Sequence, residues 1–147
     1  MVLLVLVAAV IWFLLHSSKG QTTAATGAQT STNGLDNITQ AIAQYEGFNK
    51  PGSVAQRTNN PGNVGTFGGN VASYSNVGDG WSALQNWVTN KAAANPSMTF
   101  NQMMGLYLTG SVNGTPGPNQ NPAGYAQYIA DYVGVDPNTP VSTVLGS

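Results

Sequence analysis

The first fifteen residues, MVLLVLVAAVIWFLL, carry no charged side chain, and after His16 come eighteen residues, SSKGQTTAATGAQTSTNG, with no apolar period at all. This pairing constrains everything that follows. As a helix the head is about 22 Å long at 1.5 Å per residue, against a hydrocarbon core of roughly 30 Å, so it spans a bilayer only with local thinning or help from the next residues. The rival reading is a cleaved signal peptide, but there is no positively charged n-region beyond the terminal amine and no clean Ala-x-Ala site. We therefore expect a transmembrane anchor over residues 1–16, in contact with the lipid bilayer. Residues 17–34, rich in Ser, Thr, Gly and Ala, read as a flexible linker with a typical reach of about 23 Å and a maximum of about 60 Å. That leaves residues 35–147, about 110 residues, for one domain with a single core.

The rest of the chain reads as helices separated by turns. Asp36 or Asn37 caps a helix in which Ile38, Ala41, Ile42 and Tyr45 recur at helical spacing, until Gly47 and Pro51-Gly52 end it. Residues 53–80 are crowded with Gly and Asn and predict turns around a small β-hairpin near Val71–Tyr74. Asp79 is the expected cap of a helix with Trp81, Leu84, Val88 and Ala92 on one stripe. Thr99-Phe-Asn-Gln102 fits a capping box for a helix stopped near Gly110. Asn121-Pro122 opens another, carrying Tyr125, Tyr128, Ile129, Tyr132 and Val133 as far as Gly134. The expected fold class is α+β, mostly helical, with one small sheet element and no internal repeat.

Charge then narrows the function. Only 6% of residues are charged and the formal net charge is -1, so there is no basic face to neutralise phosphates and nucleic acid is excluded as a partner. The surface must be built from Asn, Gln, Ser and Thr, whose donors and acceptors can pair with sugar hydroxyls and acetamido groups, although an amide-rich surface without a ligand is at least as common. The absence of cysteine removes disulfides, thiol catalysis and thiolate metal sites; neither metal nor cofactor is expected.

In so uncharged a chain, the single glutamate stands out: Glu46, in AIAQYEGFNKPG, where a helical pattern breaks. With Ile38 as origin on a helical wheel, Ile42 and Tyr45 fall on either side of it within about 40°, and Glu46 falls about twice as far round, at the edge of the apolar stripe. A carboxyl at such a rim, in the last turn where the helix dipole also opposes negative charge, is biased toward its protonated form. A protonated carboxyl near neutrality is what donating a proton to a glycosidic oxygen requires. An ordinary surface Glu at a frayed helix end is the competing reading.

Four ordered motifs weigh against that plainer reading. Ala41-Ile42-x-x-x-Glu46-Gly47 is followed by Arg57-Thr-Asn59-Asn60-Pro61-Gly62-Asn63-Val64, then by Tyr74 and Asp79-Gly80-Trp81-Ser-Ala83-Leu84, and finally by a Tyr125-bearing helix that closes on Gly134-Val135-Asp136-Pro137-Asn-Thr139-Pro140. Over roughly Ile38 to Val141 this order resembles the lysozyme-like superfamily, particularly the phage and bacterial lytic transglycosylase-like domains that degrade peptidoglycan. The resemblance implies a lysozyme-like domain with Glu46 as catalytic acid, and a cleft lined by Asn59, Asn60, Asn63, Tyr74 and Tyr125. Turn chemistry is the alternative role for the three asparagines, since Asn tolerates left-handed backbone angles. Core packing is the alternative for the two tyrosines. Arg57 is open between pairing with a buried carboxylate or carbonyl and lying in solvent.

The other carboxylates bear on the reaction. Retaining and inverting glycosidases generally use two carboxyl groups, roughly 5 Å or 6.5–9.5 Å apart. Beyond Glu46 the chain has only Asp36, Asp79, Asp131 and Asp136, two of them read as helix caps and two at the last long helix. A single acid fits the lytic transglycosylase that the resemblance implies, which cleaves the MurNAc-GlcNAc β-1,4 bond and leaves 1,6-anhydro-MurNAc ends. A lysozyme-type hydrolase using Asp79 to position water is the second reading, and a non-catalytic glycan-binding or virion structural protein of the same fold is the third. A pilin-like subunit also has an apolar N-terminal helix, but not these motifs. An anchor on so small an enzyme suits the membrane of a phage virion, where it would meet other virion or envelope proteins and open the wall during genome entry. A bacterial inner membrane, with the domain facing the periplasm, is the other setting.

Overall fold

The computed structural model describes residues 34–65 and 70–146. The expected anchor and almost all of the expected linker lie outside those residues. Among the described residues, no helix is long and apolar enough to cross a membrane.

The described chain is mostly helical, with six helices: α1 (Gly34–Tyr45), α2 (Val54–Arg57), α3 (Val77–Ala94), α4 (Phe100–Thr109), α5 (Pro122–Val133) and α6 (Val141–Leu145). α5 packs on α4 and α1, α1 also on α3, and α6 closes against α1 and α3. Ile38, Ile42, Leu84, Val88, Phe100, Met103, Met104, Tyr125 and Ile129 form the shared core and are fully buried. Each side chain of this size contributes about 1.5–3 kcal/mol on burial.

Several helix ends follow their sequence signals. Thr99 and Gln102 make the expected capping box, and Gly110 ends α4 with φ of 77°. Asn121 caps α5 through its side chain, Pro122 takes the first turn, and Gly134 stops it in the left-handed region. Elsewhere the caps are displaced. α3 begins two residues before Asp79 and its cap is Asn76, whose Oδ1 accepts from the Asp79 amide at 3.0 Å. Asp79 instead occupies the first turn, where its carboxylate receives Ser75 Oγ at 2.9 Å and Asn76 Nδ2 at 2.8 Å and faces the helix dipole's positive end. α1 likewise begins at Gly34, ahead of both expected caps. Gly34, placed in the linker by its composition, is packed so closely on α6 that a Cβ would lie 2.0 Å from the Val144 carbonyl oxygen. Asp36 sits in the first turn of α1 and accepts from Gln85 Nε2 at 3.0 Å, which ties α1 to α3.

Between α1 and α3 the described residues hold less sheet than expected. The hairpin reduces to one antiparallel bridge, Gly65 to Val71. α2 occupies part of the stretch read as turns, because Ser53 Oγ accepts from the Gln56 amide at 3.2 Å and caps it. What organises the segment is Asn60. It is completely buried, donates Nδ2 to the carbonyls of Val64 (2.9 Å) and Ala72 (3.0 Å), and accepts from the Val64 amide at 3.0 Å. Beside the backbone bond from the Ala72 amide to the Val64 carbonyl at 3.0 Å, this side chain does the pairing that a longer ladder would do. The turn is then pressed onto α3: a Cβ on Gly80 would stand 1.9 Å from the Asn59 carbonyl oxygen, and one on Gly62 2.6 Å from Leu84 Cδ1.

Candidate functional site

Glu46 is placed by the way α1 ends. Phe48 N–H donates to the Ala43 carbonyl at 2.9 Å and Gly47 N–H to that of Gln44 at 3.0 Å, with Gly47 at φ 77°. This is the paired bonding of a Schellman ending, in which glycine takes the left-handed position at little cost. Glu46 is therefore the last residue before the chain reverses, half-buried, its amide still bonded to the Ile42 carbonyl at 2.9 Å. Its carboxylate points toward two other elements. Oε1 accepts from the Tyr125 hydroxyl of α5 at 2.8 Å, and Oε2 accepts from Asn63 Nδ2 of the Asn-Pro-Gly turn at 2.9 Å.

Both donors are fixed from behind. Asn63 sits at φ 49°, a left-handed angle that asparagine tolerates better than most residues, and its amide N–H donates to the Asn60 carbonyl at 3.0 Å. Tyr125 is completely buried. The Tyr45 ring is stacked on it at 3.8 Å and 13°, and the Tyr107 ring meets it edge-on at 6.0 Å and 82°. Tyr107 in turn is met edge-on by Trp87 at 4.8 Å.

Burial, then the neighbouring Tyr107 hydroxyl, then the charge of Glu46 push the Tyr125 phenol far above the ordinary tyrosine range. Burial and after it Glu46 raise Tyr107 in the same direction. Both therefore stay O–H donors at working pH. The consequence for stability has a definite sign. Above about pH 10 an unfolded tyrosine releases its proton while these two, folded, keep theirs; the unfolded state then binds fewer protons and stability falls with rising pH. Below that value the contribution is complete. Thermal melts from about pH 8 to 11 are expected to show Tyr107→Phe losing stability less steeply than the parent, by up to about 1.4 kcal/mol per pH unit. Parallel slopes would contradict this account.

Two buried polar atoms at this network have no hydrogen-bond partner, Asn63 Oδ1 and the Tyr107 hydroxyl. Leaving such groups unpaired costs about 1–3 kcal/mol each. One is an acceptor and the other can donate.

The remaining expected site residues bond to groups other than Glu46. Asn59, at φ 51°, donates Nδ2 to the Tyr74 carbonyl at 3.0 Å, and the Tyr74 amide donates to the Thr58 carbonyl at 2.9 Å. Tyr74 thus enters through its main chain, and Asn60 is spent on the clamp described above. Arg57 is exposed and bonds the Gly52 carbonyl. The structure gathers Glu46, Asn63 and Tyr125, and adds Tyr107 of α4 and Tyr45, the latter placed by the sequence only on the apolar stripe of its helix. The four aspartates are all engaged: Asp36 by Gln85, Asp79 by Ser75 and Asn76, Asp131 by Gln127 at 2.8 Å, and Asp136 by the Asn138 amide at 2.7 Å. Among the described residues, no group of three or more His, Cys, Asp or Glu side chains is arranged to hold a metal ion.

Comparison with protein-family models, curated proteins and solved structures finds no match to this chain.

Proposed function

We propose that the chain is a membrane-anchored lytic transglycosylase that cleaves the MurNAc-GlcNAc β-1,4 bond of peptidoglycan with Glu46 as its one acid and base. The observation that carries the reading is the environment of Glu46. Its carboxyl is held from both sides by uncharged donors, Tyr125 and Asn63, while each aspartate is bonded to groups outside that network.

In the reaction proposed, protonated Glu46 gives its proton to the glycosidic oxygen as the bond from that oxygen to the muramyl C1 breaks. The carboxylate left behind then takes the proton of the muramyl C6 hydroxyl as O6 bonds to C1, closing a 1,6-anhydro ring. One group serves both steps, and no positioned water is consumed. The Tyr125 and Asn63 hydrogen bonds orient the carboxyl throughout. The hydrolase reading would instead use Asp79, whose Oδ2 accepts from Ser75 and Asn76 at the start of α3, to hold a water.

The apolar head and linker fit an enzyme presented at an envelope, and we include a phage virion membrane in the reading as that setting. Finding the gene among chromosomal wall-maintenance genes would count against the virion part alone. The reaction itself is tested by digesting purified sacculi with the full chain and identifying the fragments by mass spectrometry. Anhydro-muramyl ends are expected; reducing ends without them would mean hydrolysis, and intact sacculi would leave the glycan-binding reading.

A further inference from the structure

Three tyrosines that helical spacing assigns to apolar stripes are instead in solvent: Tyr45 is 43% exposed, Tyr128 37% and Tyr132 44%. The reason is geometric. Going round α5 from Tyr125 in one direction, Ile129 lies about 40° away, Ala126 about 100° and Ala130 about 140°, which is the buried arc. Tyr132 and Tyr128 lie in the other direction, about 20° and about 60° from Tyr125, beyond the edge of that arc. Tyr45 ends α1 lying over the buried Tyr125 ring, as its outer layer.

These rings form one ordered surface. Tyr45 meets Tyr128 at 5.4 Å and 58°. Gln44 joins the other two, accepting from the Tyr128 hydroxyl at 3.2 Å and donating Nε2 to the Tyr132 oxygen at 3.3 Å. Exposed aromatic rings held in place by a side-chain amide are unusual on a surface that serves no partner, because their apolar faces remain in water. None of the four side chains carries a charge, which disfavours an ionic partner. These rings also adjoin the candidate site: Tyr45 directly precedes Glu46 and stacks on the buried Tyr125 ring whose hydroxyl bonds the Glu46 carboxylate.

We propose that Gln44, Tyr45, Tyr128 and Tyr132 form a distal sugar subsite, on which a pyranose of the glycan strand lies one or more residues away from the bond cleaved. The apolar C–H face of a β-linked pyranose packs on a tyrosine ring, while its hydroxyl and acetamido groups bond to the phenol oxygens and the Gln44 amide. A strand extending from Glu46 over these rings gains binding that a short fragment lacks. The proposal rests on the glycan-cleaving reading for the identity of its ligand.

The test is retention of the full chain on purified sacculi in the Glu46→Gln background, alone or with Tyr128→Ala, Tyr132→Ala or Tyr128→Phe. Cleavage by the chain with Glu46 intact is measured in parallel. Each alanine variant is expected to lower retention fivefold or more, and Tyr128→Phe, which keeps the ring, to stay within about twofold. Thermal melts identify any variant that fails to fold, and the two alanine positions are independent. Unchanged retention in a folded alanine variant overturns the subsite. So does sedimentation showing a dimer that the same variant dissolves, since the face would then belong to a second copy. If the chain with Glu46 intact binds through these tyrosines without cutting sacculi, the catalytic reading fails and the subsite stands. If it cuts them and retention ignores the tyrosines, the reverse holds.

Discussion

Glu46→Gln is expected to slow sacculus digestion by roughly 10²–10⁴-fold, the contribution usual for a positioned general acid or base. The fold should barely notice. A glutamine keeps an oxygen for the Tyr125 hydroxyl, and a flip of the Asn63 amide would let its Oδ1, unpartnered beside Glu46, accept from the new Nε2. The cost in stability is accordingly expected within about 1 kcal/mol, the size of one rearranged hydrogen bond. Release of soluble muropeptides from sacculi, measured beside a thermal melt, reads both quantities. Comparable digestion by both proteins would remove Glu46 from the mechanism; lost digestion accompanied by a large fall in melting temperature would mean that the residue serves the fold.

Asn60→Ala should do the opposite, acting on the fold first. It leaves the Val64 amide and the Ala72 carbonyl without their buried partner, while the Val64 carbonyl keeps the Ala72 amide as its donor. With about 1–3 kcal/mol for each group that finds no water, a loss on the order of 3 kcal/mol is expected. For a domain of this size that corresponds to a fall of about 10 °C or more in melting temperature. Asn60→Asp is expected to fare no better, since an ionised carboxylate can accept from the amide but cannot donate to either carbonyl. Activity should fall with stability, because the same turn presents Asn63 to Glu46. A loss under about 1 kcal/mol in thermal unfolding would show that water replaces the clamp.

Helix ends written in local chemistry were legible in the sequence. The Thr99 and Gln102 capping box, the Asn121-Pro122 start and the stops at Gly47, Gly110 and Gly134 each depend on a few neighbouring residues. The position of Glu46 at the edge of an apolar arc was legible for the same reason. The caps near Asp36 and Asp79 were misplaced because several residues that can cap lie within one turn, and only packing against α6 or the Asn76 and Ser75 contacts selects the start. The hairpin was overestimated because the Gly- and Asn-rich stretch does not reveal that one buried amide replaces most of its ladder.

The partners of Glu46 lie 17 and 79 residues further along the chain, and no local period encodes such pairings. The sequence by itself determined where helices stop, that one carboxyl stands apart from the rest, and that the surface is amide-rich and nearly free of charge, because these depend on residue type and short spacing. Only the tertiary structure decided which asparagine reaches that carboxyl, which tyrosine is buried as its donor and which remain exposed, because those outcomes depend on how α1, α5 and the Asn-Pro-Gly turn meet around a common core.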